Sequence, residues 1–335
     1  MRRFLLLVLL LTLVAACAPV RPPATPPPAP TPISLKPANL LTPRPTPPLP
    51  TATPFIIPIA KTAVPTLPPP TPTPSIKGTP VTVSEPLQGT LLDDRLISPI
   101  IGESFFYRIY LPPNYARDGQ RRYPVLYMLH GNGGNYTEWS DSFLPEQVDR
   151  MITAGRIQPL IVVMPDDGET TYFANWDNGP RWADYIAEDV VSTIDQRYRT
   201  LANPASRGIG GLSMGGLGAL NLAFQHPDIF GVVGGHSPSV RLEPDAALWF
   251  LTGQNFWENN PIWLAQNEPG LDSLKIWLDA GSEDVWLPNV EAVRQTLLTE
   301  GLHVDWHEFP GPHEAVYWIE HVPDYLRFYA EALAI

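Results

Sequence analysis

From residue 104 onward, short apolar runs alternate with longer segments in which apolar side chains recur every three or four positions. SFFYRIYLPPNY (104–115) reads as a strand closed by a proline turn, while YPVLYMLHG (123–131) and PLIVVMPDDG (159–168) are apolar runs followed by glycine. A run with no polar alternation is what a strand buried on both faces requires. In 181–198, Trp182, Ile186, Val190 and Ile194 fall on one side of a helix, with Tyr185 and Val191 beside them. The pattern then predicts a strand over 206–213, a helix over 214–227 and strands over 230–237 and 275–281. A helix over 288–301, with proline near its start and a terminal glycine, precedes a strand over 303–309 and a last helix over 314–333. Strands alternating with helices make a mostly parallel sheet covered on both faces, so the fold class is α/β.

Composition divides the chain near residue 80. Of 42 prolines in 335 residues, 23 lie between Ala18 and Pro80, in stretches such as RPPATPPPAPTP and LPPPTPTP. Proline removes backbone donors and little apolar surface is available, so no packed core is expected over 17–80; an extended spacer of roughly 3 Å per residue is. Ahead of it, two arginines precede a 13-residue apolar stretch, Phe4 to Ala16, which fits a secretory signal peptide over 1–16 and is short for a membrane span. Val14-Ala15-Ala16-Cys17 resembles a bacterial lipobox, and cleavage there leaves Cys17 as a lipidated first residue. The expectation is an exported protein, anchored on the extracytoplasmic side of the membrane through Cys17 or secreted. Cys17 is the sole cysteine, so no intramolecular disulfide can form.

All 34 acidic residues lie after residue 80, against 15 of the 22 Lys and Arg, which gives residues 81–335 a formal charge of −19. Such a surface repels phosphate backbones and argues against nucleic-acid binding. The length of 81–335 suits one α/β domain with a substantial core.

Residues 208–220, GIGGLSMGGLGAL, hold the candidate chemistry. Gly211-Leu212-Ser213-Met214-Gly215 is Gly-X-Ser-X-Gly at a strand-to-helix junction, the setting of a nucleophile elbow. Glycines at 211 and 215 leave room for a sharp turn that lifts one hydroxyl out of the sheet, and the helix start aims free N–H groups and a positive dipole end at it. An acid and then a histidine follow, each on a loop after a strand. KIWLDAGSEDVW offers Asp284, with Asp279 as the alternative, and FPGPHEAVYW offers His313. In an open α/β sheet that carboxyl edge is where ligands bind. LYMLHGNGGNYTEW ends a strand in a glycine-bearing loop, so the N–H groups of Asn132 and Met214 are the expected oxyanion donors, with His130 shaping the turn. The spacing holds no zinc-ligand pattern, and neither a metal nor a cofactor is expected.

LHGNGGNYTEW, VVMPDDG, GIGGLSMGGLGALNLAFQHPDIFG, LDAGSEDVW and GPHEAVYW together resemble the Putative esterase family of the α/β-hydrolase superfamily, over about residues 85–333. That family includes feruloyl and acetylxylan esterases, S-formylglutathione hydrolase, enterochelin-type esterases and mycolyltransferases. The resemblance implies an α/β-hydrolase fold and a catalytic Ser213, Asp284 and His313. It also implies an ester substrate, acyl or feruloyl esters of carbohydrates among the candidates. His236-Ser237 departs from the family, whose members usually carry a small residue before the serine. Trp139 and Trp176, in loops at the expected mouth, His236 after the sixth strand, and Trp257 in the aromatic-rich segment 239–272 are candidates for binding substrate; packing of these aromatics against the body is the competing reading. Two other functions remain open at this point: acyl transfer to a sugar acceptor, and a non-catalytic binding module on a stalk.

Overall fold

The computed structural model describes residues 86–335. The signal peptide over 1–16, the lipidation site Cys17 and the proline-rich spacer over 17–80 lie outside the described residues.

Eight strands form one sheet: β1 (Thr90–Ile97), β2 (Ser104–Leu111), β3 (Val125–Leu129), β4 (Ile161–Pro165), β5 (Arg207–Leu212), β6 (Val232–His236), β7 (Lys275–Gly281) and β8 (Val304–Phe309). Their order is β1-β2-β4-β3-β5-β6-β7-β8. β1 pairs antiparallel with β2 and β2 antiparallel with β4, and every later pairing is parallel. The strands expected between 104 and 309 all form.

Successive side chains of the central strands point to opposite faces and build two cores. Val125, Tyr127 and Leu129 of β3 face one way, with Ile161 and Val163 of β4. Leu126 and Met128 face the other way, with Val162 and Met164. The first core is closed by α4 (Val191–Arg197), α5 (Met214–Gln225) and α8 (Leu287–Thr299), the second by α2 (Leu144–Thr153) and α9 (Ala315–Ala332). Each fully buried aliphatic side chain contributes ~1.5–3 kcal/mol, so the sheet is the rigid frame on which loops are hung.

Several features differ from the sequence pattern, the unforeseen helices α1 (Glu138–Asp141) and α2 among them. β1 is an additional edge strand in which Leu96 alone is buried, and its Asp93, Asp94 and Arg95 are the kind of charge that guards an open edge. The helix expected over 181–198 is a composite of α3 (Trp182–Asp184), a π-helical stretch Tyr185–Val190 and α4. Segment 239–272 is folded, carrying α6 (Gly253–Glu258) and α7 (Pro261–Asn267). It is tied to the body by Asn221 Nδ2 donating to Asn259 O (2.7 Å) and Asn289 Nδ2 to Val240 O (2.8 Å).

Candidate active site

The site is assembled at the carboxyl ends of β3, β5, β6, β7 and β8. At the end of β5 the chain turns directly into α5 through Ser213, which holds φ 52° and ψ −112°. That conformation is disfavoured for any residue with a Cβ, and it persists where packing over-determines it. The packing is visible at two glycines. A Cβ on Gly211 would lie 2.8 Å from Leu129 O and 2.5 Å from Gly215 O, and one on Gly215 would lie 2.5 Å from His130 O. Glycine at both positions lets α5 close on the end of β3. The Ser213 N–H donates to His236 O (3.1 Å).

Ser213 Oγ is 2.8 Å from His313 Nε2, and His313 Nδ1 is 2.8 Å from Asp284 Oδ2. With Nδ1 protonated toward the carboxylate, Nε2 is free to accept the serine proton. The two loops that carry these groups are stitched together: Ser282 N–H donates to Phe309 O (2.7 Å) and Glu283 N–H to Gly311 O (3.0 Å). Burial pulls the Asp284 carboxyl upward, yet hydrogen bonds from His313, Ser237 and the Trp286 N–H outweigh it and hold Asp284 below the usual carboxylate range. Asp279, the alternative acid, is engaged elsewhere. It is fully buried and accepts from His236 Nδ1 (2.9 Å), Trp277 Nε1 (2.6 Å), Tyr317 OH (2.8 Å) and Tyr325 OH (3.2 Å).

The loop after β3 lies against the elbow through the Gly215 contact with His130 O. Gly131 N–H donates to Glu138 Oε2 (2.6 Å), Gly133 N–H to Glu169 O (2.6 Å) and Gly134 N–H to Gly131 O (3.0 Å). The N–H groups of Asn132 and Met214 have no acceptor among the described residues, as oxyanion donors require. Behind them His130 is buried, with Nδ1 2.9 Å from Gly131 O and Nε2 2.9 Å from Asp167 Oδ1, the latter out of line for a hydrogen bond. Burial pushes the Asp167 carboxyl up to about 6, against the pull of His130.

Two expected substrate contacts are corrected. Trp139 is 1% exposed, and its Nε1 donates to Leu129 O (2.9 Å), so it braces the end of β3 from within. His236 is fully buried between Asp279 and Tyr329 OH (3.0 Å from Nε2) and stacks on Tyr325 at 3.7 Å. Position in a loop or at a strand end placed both residues near the site, but not the direction of their side chains. Trp176 is half-buried, its Nε1 donating to Thr171 O (3.1 Å), stacked on Phe250 at 4.5 Å and edge-on to Trp249 at 5.5 Å. Trp249 is 69% exposed. Trp257 is half-buried against Phe256 at 4.9 Å.

One polar group escaped the sequence reading and another was named there without a role. Glu138 pins Gly131, and no motif announces it. Ser237 binds Asp284 through its hydroxyl. Its signal is register, since Leu212 pairs with His236 and sets Ser213 level with Ser237.

A model of the family described as "Putative esterase" matches residues 98–329. An esterase of Mycobacterium tuberculosis is 28% identical over 254 residues, 65% of this chain and 54% of its own length. An endo-1,4-beta-xylanase/feruloyl esterase of Xylanibacter ruminicola is 33% identical over 169 residues, 45% of this chain and 22% of that protein. This chain thus spans about half the length of the M. tuberculosis relative. Among solved structures, a ferulic acid esterase superposes with a TM-score of 0.68 at 24% identity, covering 74% of this chain and 99% of its own. An S-formylglutathione hydrolase from Agrobacterium tumefaciens gives 0.65 at 17%, covering 75% and 98%. At these identities the likeness establishes the fold, that of the α/β-hydrolases.

Proposed function

The chain belongs to the Putative esterase family, and on that premise we propose that it is a serine carboxylic ester hydrolase working through Ser213, His313 and Asp284. The observation that carries this reading is the unbroken relay of two 2.8 Å contacts from Ser213 Oγ through the His313 ring to Asp284. His313 Nε2 takes the Ser213 proton as Oγ attacks the ester carbonyl carbon. The oxyanion develops against the N–H groups of Asn132 and Met214, each donor being worth ~3–4 kcal/mol to the transition state. Asp284 fixes the tautomer and stabilises the imidazolium. His313 then protonates the departing alcohol, and a water that it deprotonates releases the acyl group from Ser213.

Acyl or feruloyl esters of carbohydrates are the proposed substrates. Their support is the activity of the feruloyl esterase relatives and the aromatic cluster of Trp176, Trp249 and Phe250 in and beside the folded insertion. The proposed place of action is outside the cytoplasm, on a membrane tether at Cys17, and its support is the N-terminal sequence alone.

The test is hydrolysis of a short-chain p-nitrophenyl ester by the purified chain beside Ser213→Ala. The variant should lose ~10⁴–10⁶-fold in rate with an unchanged unfolding transition. A variant as active as the wild type refutes the reading. Feruloyl and acetyl-sugar esters, offered with and without free sugar, then separate hydrolysis from acyl transfer.

A further inference from the structure

β5 and β6 run parallel in a register that sets Ser213 and Ser237 level at neighbouring strand ends, and both take a left-handed φ, 52° and 51°. Ser237 is fully buried, and its N–H donates to Asp279 O (3.0 Å). Its hydroxyl donates to Asp284 Oδ2, the oxygen that also accepts from His313 Nδ1, and Oγ lies 3.3 Å from that nitrogen. The other carboxylate oxygen, Oδ1, accepts the Trp286 N–H (2.7 Å). Glycine would meet this φ with less strain than serine. What glycine lacks is the donor.

We propose that Ser237 is a positioning residue that acts on His313 through Asp284. Resting on the hydrolase reading of the same site, the inference assigns the hydroxyl two effects. It locks the plane of a carboxylate that is otherwise held by one backbone N–H and the imidazole itself. It also takes up part of the negative charge on Oδ2 and so tempers the pull of Asp284 on the Nδ1 proton. The titratable groups around this corner are His313 on the loop after β8, Asp279 and His236 on β7 and β6 behind it, and Tyr317 of α9, whose hydroxyl donates to Asp279. Glu283 and Glu314 stand exposed beside Asp284 and His313 in the chain. Of these, His313 alone donates to Asp284. Without the Ser237 hydroxyl, more negative charge rests against the Nδ1 proton and the carboxylate plane is less firmly held.

The experiment compares full-length wild type, Ser237→Ala and Ser237→Gly on a p-nitrophenyl ester across the acid limb of the pH–rate profile. Each protein is also labelled with a fluorophosphonate and unfolded in denaturant. Gly removes the hydroxyl without the backbone strain that Ala keeps, so a folding defect in Ala leaves a second reading. Both variants should lose roughly 10- to 100-fold in kcat with a smaller change in KM, as for a hydrogen bond to a charged group. Both should also move the acid midpoint upward. A merely structural role lowers the amount of folded enzyme and leaves that midpoint where it was. Variants that keep wild-type kcat, or lose it at an unchanged midpoint, overturn the inference while the hydrolase reading stands. A wild type that is inactive, with Ser213 unlabelled, overturns both.

Discussion

Two His–Asp pairs sit one strand apart at the same edge of the sheet. In His313–Asp284 the contact is 2.8 Å and in His236–Asp279 it is 2.9 Å. What differs is the far nitrogen of each ring. His313 Nε2 meets Ser213 Oγ, and its side chain is 20% exposed; His236 Nε2 meets Tyr329 OH, and nothing of the pair reaches solvent. Burial holds the Tyr329 hydroxyl far above its ordinary range, so it stays protonated and has no substrate to attack. Asp284 has one neighbour that can turn over, whereas Asp279 is saturated by four donors. The pair of residue types therefore does not make a catalyst. On the proposed hydrolase reading, access at the third group makes the difference, and the closed copy serves stability.

The widest separation between the two is expected from Asp284→Asn. Loss of the correct tautomer should lower kcat by ~10⁴-fold, read on a p-nitrophenyl ester, with a modest change in folding midpoint. The sign of its pH dependence follows from a folded carboxyl held below its usual range. Its contribution to stability is complete above the unfolded value of about 4 and is lost as pH falls through the lower folded one. The stability gap between wild type and Asp284→Asn should accordingly narrow in acid.

Asp279→Asn tests the opposite pole. It leaves buried donors mismatched and should cost about 3–5 kcal/mol in denaturant unfolding, while the protein that remains folded keeps most of its kcat. Equal losses of activity from the two Asn variants at full folding would erase the distinction. The smallest effect is expected from Trp139→Phe. The ring edge toward His236 is kept, but Leu129 O loses its indole donor, a cost of about 1 kcal/mol with KM unchanged. A raised KM would return Trp139 to the substrate.

The contrast also marks how far sequence could reach. Chain order and strand–loop junctions are one-dimensional features, so the sequence could put Ser213, Asp284 and His313 forward together, and the structure brings the three within two 2.8 Å contacts. The glycine-bearing loop after β3 was readable as a loop for the same reason. His236 and Trp139 were misplaced because a strand end names an edge of the sheet, while the face a side chain chooses depends on neighbours distant in the chain. Ser237 was named in the sequence without a role, and its place beside Ser213 came only with the register of β5 on β6. β1 was missed because an edge strand buries so little that no apolar pattern survives. α2 is a different case: Leu144, Val148 and Met151 at helical spacing, with Pro145 in the first turn, were a signal in plain sight.

The stitching of the loops after β7 and β8 has a consequence for diversification. Acid and histidine are fixed by the sheet and by two backbone bonds between their own loops, while Ser213 O also accepts the Ser239 N–H (3.0 Å) at the root of segment 239–272. That segment, with α6, α7 and Trp249, enters after β6 and leaves before β7, fastened to the body by side-chain amides, by the Asp177 N–H donating to Phe250 O (2.8 Å) and by Leu248, Phe250, Phe256 and Leu264 buried in the first core. Its exposed tip around Trp249 is the part open to exchange: on the proposed hydrolase reading, a lineage or an engineer rewriting that tip changes which ester is accepted while Ser239 and the buried side chains stay in place.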